Sequence, residues 1–212
     1  MLLAFDTATP AVTVALHDGE RVLVESTTID ARRHGELLAP VIAAVLSEAG
    51  IVRQDLTAIA VGVGPGPFTG LRVGLVTART LAAVLEIPVY GVCTLDVLAV
   101  DAVDTGAVTG PFVVATDARR KEVYWAAYDA SGVRLDGPHV AKPASVATEV
   151  PVVGHGAVLY PTDFPNPVGP EHPSASALAR VVTDERAELY DPDPMYLRRP
   201  DVAEPGKPKR VS

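Results

Sequence analysis

A single cysteine, Cys93, stands among the 212 residues. It cannot form an internal disulfide, so nothing ties the chain to an oxidising compartment. Positive charge is also short, with 18 Lys plus Arg against 26 Asp plus Glu and a net charge of -8. Phosphate binding rests on clustered cations, so a general nucleic-acid-coating surface is excluded and at most a local basic patch remains. Long apolar runs are missing as well. The charge-free stretch from Leu56 to Leu71 is interrupted by Pro65, Pro67 and four glycines, too short and too broken to cross a bilayer. The opening MLLAFDTATP lacks a basic n-region, and Asp6 cuts its apolar run early. These absences predict a soluble, cytoplasmic protein with no membrane contact. With 48% apolar and 21% charged residues, the chain has material for a real core.

What is present reads as α/β with a mixed sheet. Leu2 to Asp6, Ala11 to His17 and Glu20 to Ile29 are predicted strands, and Asp18-Gly19 is a hairpin signal between the second and third. A helix follows from about Arg33 to Ala49, with Leu37, Leu38, Val41, Ile42, Val45 and Leu46 at helical spacing and Gly50 at its end. Pro40 is tolerable near the first turn, which sets the regular helix starting close to Glu36. Thr57 to Val63 reads as a strand, Gly64 to Gly70 as a loop, Leu71 to Glu86 as a second helix, and Val89 to Val92 as a strand. Phe112 to Asp117 and Glu122 to Asp129 repeat the opening meander in shorter form. Thirteen of the 19 prolines lie from Pro138 onward, a density that argues against long regular elements there. Ser174 to Thr183 is the one late helix, with Ser174 as its N-cap. The expected organisation is a first lobe over 1–104, a smaller Pro-rich second lobe over 105–198, and a loose tail over 199–212.

The loop Val61-Gly62-Val63-Gly64-Pro65-Gly66-Pro67-Phe68-Thr69-Gly70-Leu71-Arg72 carries the most information. It reads either as a phosphate cradle at a helix N-terminus or as a rigid structural turn, with Thr69 capping the helix. A Walker-type lysine is missing, and two prolines remove amide donors. Asp6 ends the first strand, where a carboxylate either holds a metal or nucleotide water shell or bonds its own backbone in a turn. His17, His34, His139, His155 and His172 are never four apart, so no helix presents an HExxH pair and no metal site is expected. His34 is expected to face solvent. Cys93 sits among apolar neighbours with no flanking cation and reads as a buried small hydrophobe. No serine lies in a G-x-S-x-G setting, and no catalytic set assembles.

The helix after the loop carries a second message. Gly70, Gly74, Ala78 and Ala82 fall every four residues, leaving one face almost without bulk, and apolar residues fill most of the rest. Charge survives at Arg72, Arg79 and Glu86. Such a helix must be covered nearly all round. Either the chain buries it whole, or a second protein covers what the sheet does not. The stripe from Leu37 to Ala49 points the same way, and the two helices could form half of a four-helix bundle with a partner.

These residues resemble the bacterial TsaB (YeaZ) family. The resemblance rests on Phe5-Asp6-Thr7-Ala8-Thr9 and on Gly64 to Gly74, supported by His34-Gly35-Glu36, Asp117-Ala118-Arg119, Glu122-Val123-Tyr124 and Tyr196-Leu197-Arg198. It covers Met1 to about Tyr128 well and is weaker beyond; the family's loop has a serine where Pro67 stands. The resemblance implies an actin-like (ASKHA) two-lobed fold with a reduced second lobe. It further implies a non-catalytic partner of the transferase TsaD in forming threonylcarbamoyladenosine at tRNA position 37, joined by the ATPase TsaE. Its members pair through the first two helices and self-associate by the same surface. Carried over, the partner surface is Leu37, Leu38, Val41, Ile42 and Val45 with Gly70, Leu71, Gly74, Leu75, Ala78, Arg79 and Ala82. On that expectation Gly74→Leu or Ala78→Arg would abolish pairing without unfolding the lobe. The metal-binding histidine pair of TsaD is absent, and no cofactor is required. Any vestigial nucleotide cleft, binding ATP or ADP weakly, would use Asp6, Thr7, Gly64, Gly66 and Thr69. The competing reading is a small actin-like ATPase or kinase turning over Mg-ATP at those residues; a peptidase lacks both ligands and nucleophile. Transfer RNA is met only through the complex. The basic residues Arg198, Arg199, Lys207, Lys209 and Arg210 read either as a direct tRNA contact or as a solvated end.

Overall fold

The computed structural model describes residues 1–198; the predicted tail over 199–212 lies outside them. Two sheets form the scaffold. β1 (Leu2–Asp6), β2 (Ala11–His17) and β3 (Val22–Ile29) make the antiparallel meander, followed by α1 (His34–Glu48), β4 (Ala58–Gly64), α2 (Phe68–Leu85), β5 (Val89–Cys93) and α3 (Thr94–Asp104). The second half adds β6 (Phe112–Asp117), β7 (Val123–Tyr128), β8 (Arg134–Ala141), β9 (Val152–Val153), α4 (His155–Leu159), β10 (Pro167–Val168), α5 (Ala175–Thr183) and β11 (Leu189–Tyr190). The first sheet runs β11-β5-β4-β1-β2-β3, with β4 parallel to β1 and β5 parallel to β4. The second runs β10-β9-β6-β7-β8, again a meander flanked by two parallel strands. The second sheet therefore repeats the plan of the first with β9 and β10 cut to two residues each. This is the two-lobed actin-like fold with its second lobe trimmed.

Side-chain alternation on β1 shows how the first sheet is covered. Leu3 and Phe5 join one core with Leu38, Ile42 and Val45 of α1 and Leu71, Leu75 and Ala78 of α2. Leu2 and Ala4 turn to the other face, where Val97 and Val100 of α3 and Leu178 and Val181 of α5 cover them. A strand buried on both faces is apolar throughout, as its sequence reads. One helix, α2, is long and apolar enough to cross a membrane by length and composition; here its inner face packs on the sheet.

Several expected boundaries shift. The helix α1 begins at His34, which leaves Pro40 inside it on the exposed side. It ends as expected: Gly50 is left-handed, its N–H donates to Ser47 O, and Ile51 N–H donates to Leu46 O. Thr69 does not cap α2, whose N-cap is Pro67 with no side-chain bond. The helix α3 has no counterpart in the sequence reading. The strand β8 runs eight residues through Pro138, longer than proline density suggested. The division at residue 105 also gives way to a different partition. The helix α5 packs against the first sheet and β11 hydrogen-bonds to β5, so the chain returns to its first lobe after building the second.

Ser174 caps α5 as expected: its Oγ accepts from Ala177 N–H and donates to Asp101 Oδ2. Replacing it by alanine should lower the unfolding free energy by about 1–2 kcal/mol, read by urea denaturation.

Candidate partner surface and interlobe cleft

The turn from Asp6 to Thr9 is the point where the helices meet the sheet. Asp6 is fully buried; its Oδ1 accepts from Ala8 N–H at 2.6 Å and its Oδ2 from the Thr94 hydroxyl at 2.7 Å, at the start of α3. Thr7 Oγ1 donates to Gly70 O at 2.7 Å and accepts from Gly74 N–H at 3.0 Å. It thus bridges the carbonyl and amide that an α-helix ordinarily bonds to each other. Thr9 O accepts from His34 Nε2–H at 2.8 Å, anchoring α1. His34 is therefore buried rather than solvent-facing, because the turn carbonyl needs its donor. Burial is the main influence on Asp6 and raises its pKa above the usual carboxylate value, against the opposing hydrogen bonds.

The glycine stripe of α2 follows from this contact. A Cβ at Gly70 would sit 2.6 Å from Thr7 O, and one at Gly74 would sit 2.6 Å from Thr7 Oγ1. Gly70, Leu71, Gly74, Leu75, Ala78 and Ala82 are all buried against the chain's own sheet, as are Leu38, Ile42 and Val45 of α1. The expected partner surface is corrected accordingly: these nine face inward, Leu37 and Val41 are half-buried, and Arg79 alone is exposed. The outward stripe of α2 is Phe68, Arg72, Val76, Thr80 and Val84. It lies two positions from the glycine stripe, or about 200° around the helix. Val76 is 61% and Val84 71% exposed. On α1, Pro40 and Ala44 are exposed.

Tyr196 closes the start of this stripe. Its ring stacks on Phe68 with centroids 5.4 Å apart, its hydroxyl accepts from Arg72 Nε at 3.0 Å, and the Arg72 guanidinium lies 3.7 Å over the Phe68 ring. Arg198 donates to Ala118 O at 2.9 Å and pairs with Glu122. The Tyr196-Leu197-Arg198 segment thereby ties α2 to the β6–β7 hairpin. In that hairpin Arg119, Arg120 and Lys121 all take left-handed backbone, with φ of 60°, 55° and 59°. Such residues cost of order 1 kcal/mol each, and no glycine stands in the turn to relieve them.

Between the lobes lies a cleft of about 210 Å³ lined by Thr7, Thr9, His34, Thr69, Gly70 and Arg119. Sites for drug-sized ligands begin near 300 Å³. Of the expected nucleotide residues, Thr7 and Thr69 line this cleft, whereas Asp6 and Gly64 are enclosed and the Gly66 backbone rests on Ala8 O. Asp6 has both oxygens engaged within the protein and so is not free to hold a metal's water shell. Cys93 is fully buried and its thiol is pushed up to about 12 by burial, which removes it as a nucleophile. A second polar cluster, His155, Glu171 and His172, lies near Thr116 and Asp117. Helical spacing could not have found it, since its histidines are brought together from separate segments.

Two outcomes follow from the turn. Gly74→Val should destabilise the first lobe by roughly 2–4 kcal/mol through overpacking and lost hydrogen bonds, seen as a lower urea midpoint. The folded pKa of Asp6 is raised, so its favourable contribution is complete below the unfolded value near 3.9 and is lost as pH rises through the folded value. Asp6→Asn keeps an acceptor for Ala8 N–H and a donor toward Thr94. Its stability relative to the parent should therefore improve between pH 4 and pH 7.5, measured by denaturation at both pH values.

A family model described as TsaD, tRNA N6-adenosine threonylcarbamoyltransferase, matches residues 23–203. An uncharacterized protein of Mycobacterium tuberculosis is 45% identical over 207 residues, 95% of this chain and 93% of that protein. The tRNA threonylcarbamoyladenosine biosynthesis protein TsaB of Escherichia coli is 39% identical over 134 residues, 62% of this chain and 57% of that protein. The solved structure of YeaZ from Pseudomonas aeruginosa is 31% identical, with a TM-score of 0.77 over 92% of this chain and 99% of that chain. On the family match over most of its length and the fold it shares with YeaZ, the chain belongs to the TsaB (YeaZ) family, within the wider TsaD family.

Proposed function

We propose that this chain is a non-catalytic partner subunit in the formation of threonylcarbamoyladenosine at tRNA position 37, in the cytoplasm. On this reading it binds a TsaD-type transferase and leaves the chemistry to it, with a TsaE-type ATPase joining the pair and tRNA met through the complex. In the absence of the transferase, the same surface pairs two copies of this chain. Any ATP or ADP binds only weakly to the isolated chain.

The observation that carries the proposal is the outward face of α1 and α2. Val76 and Val84 stand exposed two turns apart on one face of α2, in line with Phe68, and Pro40 and Ala44 are exposed on α1. An interface of standard size buries about 800 Å² per partner. At about 25 cal/mol per Å² of apolar area this gives ample gross driving force, most of it offset by the cost of association. Exposed valines on a regular helix suit helix-against-helix packing. The buried Cys93 thiol and the internally bonded Asp6 favour a supporting rather than a chemical role.

Both valines are solvent-exposed, so Val76→Arg with Val84→Arg should leave the fold intact. Co-elution with the cognate TsaD-type protein on size exclusion should be lost, with at least a tenfold fall in affinity. Unchanged co-elution would sink the proposed surface.

A further inference from the structure

The cluster near the β6–β7 hairpin has features that the partner role does not use. His155 opens α4, and Glu171 and His172 lie in the segment leading to α5. Two backbone bonds hold these segments together: Gly154 N–H donates to Pro170 O at 3.0 Å and His155 N–H to Glu171 O at 2.9 Å. Above them the rings of His155 and His172 lie with centroids 5.3 Å apart and planes tilted by 30°. His155 Nδ1 is 3.1 Å from Glu171 Oε2. One ligand atom from each of the three residues lies within 4.8 Å of the other two.

Two observations suit this cluster to a bound cation. His172 Nδ1 is sealed from solvent and has no hydrogen-bond partner, so the ring is held in place without its polar atom being satisfied. The 3.1 Å separation of the His155 nitrogen and the Glu171 oxygen is close to a ligand–ligand edge in a tetrahedral site, about 3.3 Å for bonds near 2.0 Å. Two imidazoles and one carboxylate are also the donor types that divalent zinc and its first-row neighbours accept.

We propose that His155, Glu171 and His172 form a three-ligand site for a divalent transition cation, with zinc as the type ion. Three protein ligands leave one coordination position for water or another oxygen donor. The cavity beside the cluster, lined by Thr9, Thr116 and Asp117, opens between the two lobes. Because His172 precedes α5 and His155 begins α4, a bound cation would clamp the segment that returns from the second lobe to the first.

The test uses the full chain, stripped of metal by chelation and then desalted. Calorimetry with zinc chloride should give one ion per chain. Titration with Co²⁺ should give the intense visible bands of a four-coordinate ion. His155→Ala and His172→Ala should each weaken zinc binding at least tenfold, and Glu171→Gln, an exposed change that leaves the fold in place, should weaken it about 10- to 100-fold. His139→Ala, on β8, should bind zinc as the parent does. Absence of stoichiometric uptake by the parent chain overturns the proposal. So does binding that survives in Glu171→Gln and both histidine variants at parental strength, with far-UV circular dichroism confirming that each variant is folded.

Discussion

The fold depends on one short turn whose polar groups are all engaged. Asp6 reaches the first residue of α3, Thr7 enters the hydrogen-bond ladder of α2, and the Thr9 carbonyl accepts a hydrogen bond from His34 at the head of α1. Three helices are thereby indexed to the end of one strand. A buried polar group left without its partner costs about 1–3 kcal/mol, so each member of this set constrains the others. The opening Asp-Thr-Ala-Thr and the distant glycine-bearing helix are two halves of the same joint. Glycine at positions 70 and 74 is the space that Thr7 occupies.

That joint also explains why the exposed side of α2 is where it is. With the small residues committed to the turn, the bulkier residues at 68, 76 and 84 must lie outward. Charge marks the margins of this outward side: Arg72 lies under Tyr196, and Arg79 pairs with Asp193. The segment carrying Tyr196 and Arg198 runs from this helix to the second-lobe hairpin, so the exposed surface and the interlobe cleft are mechanically connected.

Much of this was legible in the residues. Alternation and turn signals gave the opening meander, and Gly50 and Ser174 marked helix ends where they occur. The stripe on α2 was also visible, but periodicity locates a stripe without saying which side of it meets the sheet. The small residues suited a close helix–helix approach equally well, and only the position of Thr7 decides the matter. The helix α3 escaped because Thr94 to Ala102 is buried on every side; a helix with no wet face carries no amphipathic rhythm, and its valines resemble strand. The strand β8 was hidden by Gly137 and Pro138, which signal a break and here form a bulge where the register shifts, while the pairing resumes on either side. His155 and His172 had no sequence signal at all, since a loop and a two-residue strand separate them.

The return of the chain to its first lobe has a consequence for biosynthesis. The face of β1 and β2 that α5 covers is made before the second lobe, whereas α5 and β11 emerge only after it. Throughout synthesis of the intervening second lobe, that apolar face waits on the ribosome without its cover. Completion of the first lobe therefore waits on synthesis of the second, and that interval is when the nascent polypeptide is most exposed to aggregation and most in need of chaperones.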